Sequence, residues 1–184
     1  MKQKNIAPIL EAALFAAERH AQQKRKGAAA EPYVNHLLEV AHLASVALEE
    51  PDPSLIVAAL LHDTIEDVGV TAEELSKRFG ADAASLVLAV TDDKSLPKAE
   101  RKRLQIEHAH KLSKRAQIIK LADKISNLRS LLSSPPAHWD EERKRQYLQW
   151  AKDVVAGLTA PSPVLKEEFD QTCQRLGDFW KSRQ

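Results

Sequence analysis

Two histidines and two aspartates in this chain have the types and spacing of metal ligands: His36, the adjacent pair His62-Asp63, and Asp123. The pair closes an apolar run, Leu60-Leu61, that breaks abruptly into Thr64-Ile65-Glu66-Asp67. Imidazole and carboxylate ligands together suit Mn²⁺, Fe²⁺ or Zn²⁺, whereas Mg²⁺ prefers oxygen alone. The absence of cysteine ligands lowers the case for a structural zinc site. Four protein ligands leave positions open for water and substrate. An ion so held can polarise a phosphoryl oxygen and lower the pKa of its water. Glu66 and Asp67 follow within one helical turn and are candidates for a general acid/base pair beside that water. The predicted chemistry is metal-assisted hydrolysis. His20, His42, His108, His110 and His138 lack such company and read as structural.

Neighbouring elements must bring these residues together. Adjacent residues on a helix point about 100° apart, so His62 and Asp63 can share an ion only at a helix edge or end. If their helix continued, Glu66 would stand over His62 and Asp67 over Asp63. Asp123 lies off the apolar stripe of Ile118, Leu121, Ala122, Ile125 and Leu128. Asn127, four residues on, shares its face, so the two suit a pocket wall.

The 3.6-residue period recurs along nearly the whole chain. Helices are predicted over about 6–22, 35–49 and from Pro53 onward, the last capped by Asp52 and apolar on nearly all sides. Thr71 to Glu74 form a capping box and Gly80 closes that short helix. Asp82 is expected to cap a helix over about 83–91. Further helices are expected from Pro97 to about 112, over about 115–132, from Asp140 to about 158, and finally over 162–182. The class is all-α: one compact bundle with a buried metal site, in a single domain over 1–184, with the C-terminal helix packed on it. Trp150 and Trp180 read as core. Oligomeric state is not legible.

Composition narrows the function classes. Of 184 residues, 43% are hydrophobic and 29% charged, with a formal net charge of +1. A nucleic-acid binder usually carries a basic domain or stripe, so that class is disfavoured. The local clusters Lys24-Arg25-Lys26 and Lys98 to Arg103 are compatible with a solvated face. Met1 to Ala17 reads as an amphipathic helix rather than a leader, and no apolar run of about 18 residues predicts a membrane span. Cys173 is the lone cysteine, so no intramolecular disulfide forms, which fits a reducing, cytoplasmic compartment. It lies on an apolar stripe and is expected in the core.

Four segments resemble one known family. They are Arg25-Lys26-Gly27 through Pro32-Tyr33-Val34-Asn35-His36, Ala59 through Asp67, Lys120 through Arg129, and Trp139 with Arg143 and Tyr147. Together they resemble the histidine-aspartate (HD) phosphohydrolases, and among these the hydrolase domain of RelA/SpoT-type alarmone enzymes. The resemblance implies removal of the 3′-pyrophosphate from guanosine tetra- or pentaphosphate, giving GDP or GTP. It implies Mn²⁺, or another divalent transition metal, on His36, His62, Asp63 and Asp123. Glu66 and Asp67 match acids around the attacking water. Arg25 and Lys26 match residues contacting base and phosphates, and Asn127, Arg143 and Tyr147 match other pocket positions. The chain stops where longer members begin a synthetase domain, so a stand-alone small alarmone hydrolase is expected. Leu37 departs from the proline that often follows the metal histidine, and Ala28 to Ala30 make a less polar loop than usual.

Three other readings stand beside this one: the same centre acting on another phosphorylated nucleotide such as NADPH or a dinucleotide, a non-catalytic metal- or nucleotide-binding regulatory module, and a purely structural helical domain. Glu66 and Asp67 argue against the regulatory module, which has less need of them.

Overall fold

A computed structural model describes residues 6–182. Lys2 and Lys4, and with them the start of the Met1 to Ala17 stretch, lie outside the described residues. The elements are α1 (Ala7–Arg19), α2 (Val34–Val46), α3 (Pro53–Leu61), α4 (Thr64–Val68), α5 (Ala72–Phe79) and α6 (Ala81–Val90). After them come α7 (Lys98–His108), a 3₁₀ turn (Ala109–Lys111), α8 (Lys114–Ser133), α9 (Glu141–Ala156) and α10 (Pro163–Lys181). The described residues contain no strand, only an isolated bridge between Lys24 and Pro32. The all-α expectation holds.

Helix α3 is the axis of the bundle. Asp52 accepts a hydrogen bond from the Leu55 amide at 3.1 Å, and Pro53 stands in the first turn. Every residue from Leu55 to Leu61 is buried. Helices α1, α2, α6 and α8 pack around it. Burial of each large aliphatic here is worth about 1.5–3 kcal/mol. Helix α10 packs on α8, placing Leu165, Phe169, Leu176 and Trp180 in the core, and α9 leans on α7 and α8. No helix among the described residues is long and apolar enough to cross a membrane.

Helix α3 does not run through the His-Asp pair. It ends at Leu61, and α4 starts at Thr64. The cause is local competition for carbonyls. His62 Nδ1 donates to the Ala59 carbonyl at 2.8 Å, and the Thr64 hydroxyl donates to that of Leu61 at 2.6 Å. Asp63 then sits at φ −100°, ψ 0°. The ladder breaks where the ligands are needed, and Glu66 and Asp67 belong to a second, short helix.

Asp82 does not cap α6. Gly80 holds that position, and Asp82 lies in the first turn, paired with Arg115, which also holds Asp52. Helix α1 ends at Arg19 and α2 at Val46, each about three residues short of expectation. Helix α7 ends at His108 before the 3₁₀ turn. Leu37 is fully buried core. The Ala28 to Ala30 loop is docked on the turn after α8: Ala29 N–H donates to Ser134 Oγ at 2.9 Å and Ala28 N–H to the Pro135 carbonyl at 3.3 Å.

Candidate metal centre and nucleotide cleft

Two helices and one helix break supply the centre. His36 comes from the first turn of α2, His62 and Asp63 from the α3–α4 break, and Asp123 from the middle of α8. Both histidines are buried, with ring centroids 5.2 Å apart. His36 Nε2 lies 3.6 Å from Asp63 Oδ2 and 3.4 Å from Asp123 Oδ1. His62 Nε2 lies 3.1 Å and 3.9 Å from the same two oxygens. It is buried and has no hydrogen-bond partner. Donor atoms of His36, His62 and Asp123 all fall within 4.8 Å of one another, so these three could hold a metal ion. Asp63 Oδ2 also faces both rings while accepting the Tyr33 hydroxyl at 2.6 Å.

The electrostatics follow from this packing. Burial alone would lower the pKa of His62, but Asp63 and Asp123 overcome it and carry it up to about 9. Burial would raise the carboxyl of Asp63, but the two imidazoles hold it well below the usual range. Asp123 is likewise depressed against its burial, by Lys124 and the same rings. Lys124 Nζ sits 3.0 Å from Asp123 Oδ2, and Asn127 Nδ2 donates to Oδ1 at 2.6 Å.

Glu66 and Asp67 flank the centre from α4 in unlike settings. Burial, then the neighbouring Asp92 and Asp63, raise the pKa of Glu66. Its Oε2 accepts from the Asp92 amide at 3.3 Å, and Arg101 lies 3.5 Å from Oε1. Asp67 is held at both oxygens, by Gln23 Nε2 at 2.8 Å and by Lys94. Gln23 is held in turn by buried His20, whose ring stacks on Tyr33 with centroids 5.3 Å apart.

A cleft of about 600 Å³ opens over these groups. Arg25, Lys26, Asn127, Arg143 and Tyr147 line it together with His62, Asp63, Glu66, Asp67 and Asp123. Arg25 reaches Asn127 Oδ1 at 3.2 Å, which joins the loop before α2 to the Asp123 wall of α8. The far wall is an aromatic row on and before α9: Trp139, Tyr147 and Trp150, at centroid spacings of 5.5 and 5.3 Å. Cations cover it, with Arg143 over Trp139 at 4.7 Å, and Lys102 and Lys124 over Trp150 at 4.6 and 4.3 Å.

A sequence profile of the HD domain matches residues 12–163, most of the chain. The chain belongs to the HD-domain family. Within the family it is similar to a guanosine-3′,5′-bis(diphosphate) 3′-pyrophosphohydrolase named MESH1 from Xenopus tropicalis, 50% identical over 166 residues that cover 90% of this chain and 93% of the relative. The Homo sapiens protein of the same name is 45% identical over 171 residues, covering 93% and 96%. A solved structure of a metazoan SpoT ortholog, described as hydrolysing ppGpp, superposes with a TM-score of 0.89 at 45% identity over 95% of this chain and 98% of its own.

Several residues of this HD-domain site carry no sequence signal of their own. Tyr33 precedes His36 in the motif, but its hydroxyl contact with Asp63 comes from the loop fold. Gln23 stands in an unremarkable polar stretch. His20 is structural as read, yet it stands directly behind the Gln23 that holds Asp67. Lys98, Arg101 and Lys102 all line the cleft, so this basic cluster is more than a solvated face; Arg103 of the same run is exposed and pairs with Glu100 and Glu107. Trp150 is cleft wall rather than core, its indole N–H donating to the Lys102 carbonyl at 3.1 Å.

Proposed function

We propose that this chain is a metal-dependent pyrophosphohydrolase that removes the 3′-pyrophosphate from guanosine-3′,5′-bis(diphosphate), leaving GDP. The carrying observation is the convergence of His36, His62 and Asp123 donors within 4.8 Å beneath a cleft rich in cations. The named activity of its similar relatives supports the same reading. The donor set fits a cation. His62 Nδ1 donates to a backbone carbonyl, so the neutral ring carries its lone pair on the buried, partnerless Nε2, toward two carboxylates. His36, His62, Asp63 and Asp123 would hold one divalent ion, and mixed nitrogen and oxygen donors favour Mn²⁺, with Fe²⁺ or Co²⁺ as substitutes.

When bound, the ion supplies Lewis-acid polarisation of a phosphoryl oxygen and a nucleophilic water near neutral pH. In the reaction, water adds to the 3′ phosphorus, the bond from phosphorus to O3′ breaks, and the ribose oxygen takes up a proton. Glu66, which keeps its proton longer than an ordinary carboxyl, suits the acid role. Asp67, fixed by Gln23 and Lys94, suits the base role. Arg25 can stack on a purine, while Lys26 serves as a compact charge for phosphate. Arg143, Asn127 and Tyr147 complete the nucleotide contacts. Residues 1–184 act as one hydrolase domain, a reading supported by the packing of α10 on α8. A cytoplasmic setting accords with the lone, buried Cys173 and a nucleotide substrate.

Purified protein with guanosine tetraphosphate and Mn²⁺ should release pyrophosphate, not orthophosphate. No release with Mn²⁺, Fe²⁺ or Co²⁺ overturns the assignment. An arm with NADPH, read as orthophosphate, tests the other nucleotide reading.

A further inference from the structure

We propose that Ser126 and Glu39 are positioning residues that fix which nitrogen of His36 carries the proton, and so hold its Nε2 open for a cation. The inference rests on the metal-centre reading of His36. Ser126 is fully buried on α8. Its single hydroxyl proton goes to Glu39 Oε2 at 2.6 Å, because a carboxylate only accepts. The Ser126 oxygen is then the acceptor for the His36 Nδ1 proton, 2.8 Å away. With its proton on Nδ1, neutral His36 presents a lone pair at Nε2, toward Asp63 and Asp123 at 3.6 and 3.4 Å. The reverse arrangement would have Ser126 donate to Nδ1. Glu39 would then lose its donor, and the proton would stand on Nε2, where it blocks a cation.

Glu39 is itself fixed. Arg129 Nη1 donates to its Oε1 at 2.9 Å, and Glu168 of α10 takes the other arm of Arg129 at 2.5 Å. Donors therefore run in one direction, from His36 to Ser126 to Glu39, with Arg129 closing the far side. The two histidines differ in this respect. His62 gets its tautomer from a backbone carbonyl, which no substitution removes. His36 depends on two side chains from different helices, so it is the half of the pair that mutation can disorient. Outer partners of this kind typically govern metal affinity by about 10–100-fold.

The test measures Mn²⁺ affinity of the intact protein by titration calorimetry, alongside ¹⁵N-histidine NMR of the chelated protein. Ser126→Ala should weaken Mn²⁺ binding by about 10–100-fold and abolish the Nδ1-protonated signature of His36. Glu39→Gln, a near-isosteric change at a partly exposed position, should weaken it in the same direction. Glu168→Gln disturbs only the outer end of the network and should leave affinity within about twofold. Folded Ser126→Ala or Glu39→Gln protein that binds Mn²⁺ like wild type overturns the inference, as does Glu168→Gln weakening binding equally. If Ser126→Ala fails to fold, Glu39→Gln alone decides. Wild-type protein that binds no Mn²⁺ overturns the metal-centre reading and this inference with it.

Discussion

Without a cation, His62 faces two carboxylates and holds its proton up to about pH 9. A metal ion needs the lone pair that this proton occupies. Mn²⁺ affinity should therefore rise with pH, approaching tenfold per pH unit, and level off above about 9; calorimetry across pH 6 to 10 checks it, and a flat profile counts against His62 as a ligand. The same proton sets the stability of the chelated protein. The pKa of His62 is raised above its ordinary 6.5, so its contribution is complete below that value and lost as pH climbs through about 9. Asp63 and Asp123 are depressed, so theirs is present above the ordinary 3.8 and lost on strong acidification. Thermal melts of chelated protein should fall at both ends. Glu66→Gln and Asp67→Asn test the proton-transfer roles: each should keep Mn²⁺ binding but lose about 10²–10⁴-fold in turnover. Near-full rates would remove those roles. At this scale the ligand types and the two acids were legible, because chemistry is written in residue identity. Tyr33, Gln23 and Ser126 were not, because a hydrogen-bonding side chain acquires its partner only when the chain folds.

Helices position the site through their ends more than their lengths. The α3–α4 break separates the ligand pair from the two acids, and Gly69 closes α4 at φ 70°. A Cβ there would meet nothing within 4 Å, so Gly69→Ala costs backbone strain alone. The expected loss is about 1–2 kcal/mol, read by denaturant unfolding. Gly27 presents the opposite case. Its ideal Cβ would stand 2.2 Å from the Ser134 carbonyl oxygen, so the loop carrying Arg25 and Lys26 must shift. Gly27→Ala should raise KM for the nucleotide several-fold while Mn²⁺ affinity holds; parallel steady-state kinetics and calorimetry separate the two. The apolar periodicity located every major helix, since a helix buries one stripe whatever it packs against. It left the end of α3 open, because that end is set by His62 and Thr64, whose side chains compete for the last carbonyls. It also misassigned the cap of α6, because Arg115, from distant α8, draws Asp82 into a pair.

The molecule as a whole converts ligand binding into stability, since α2, α8 and the α3–α4 break must be folded together to present the metal set. Mn²⁺ at about 100 times its dissociation constant should add about 2.7 kcal/mol. For a chain of this size that corresponds to a melting-temperature rise of roughly 5–10 °C, reversed by chelator; no shift in scanning fluorimetry would count against a site made by the fold. The sequence by itself determined the all-helical class, the apolar core helix before the His-Asp pair, and the inventory of ligands and acids. Local period and residue chemistry suffice for those. Only the tertiary structure decided that Lys98, Arg101 and Lys102 line the cleft while Arg103 turns outward. It alone set Trp150 on the cleft wall and ran a hydrogen-bonded chain from α10 through Arg129, Glu39 and Ser126 to His36. The cleft wall and this hydrogen-bonded chain join residues tens of positions apart, and sequence spacing carries no record of which helix faces meet.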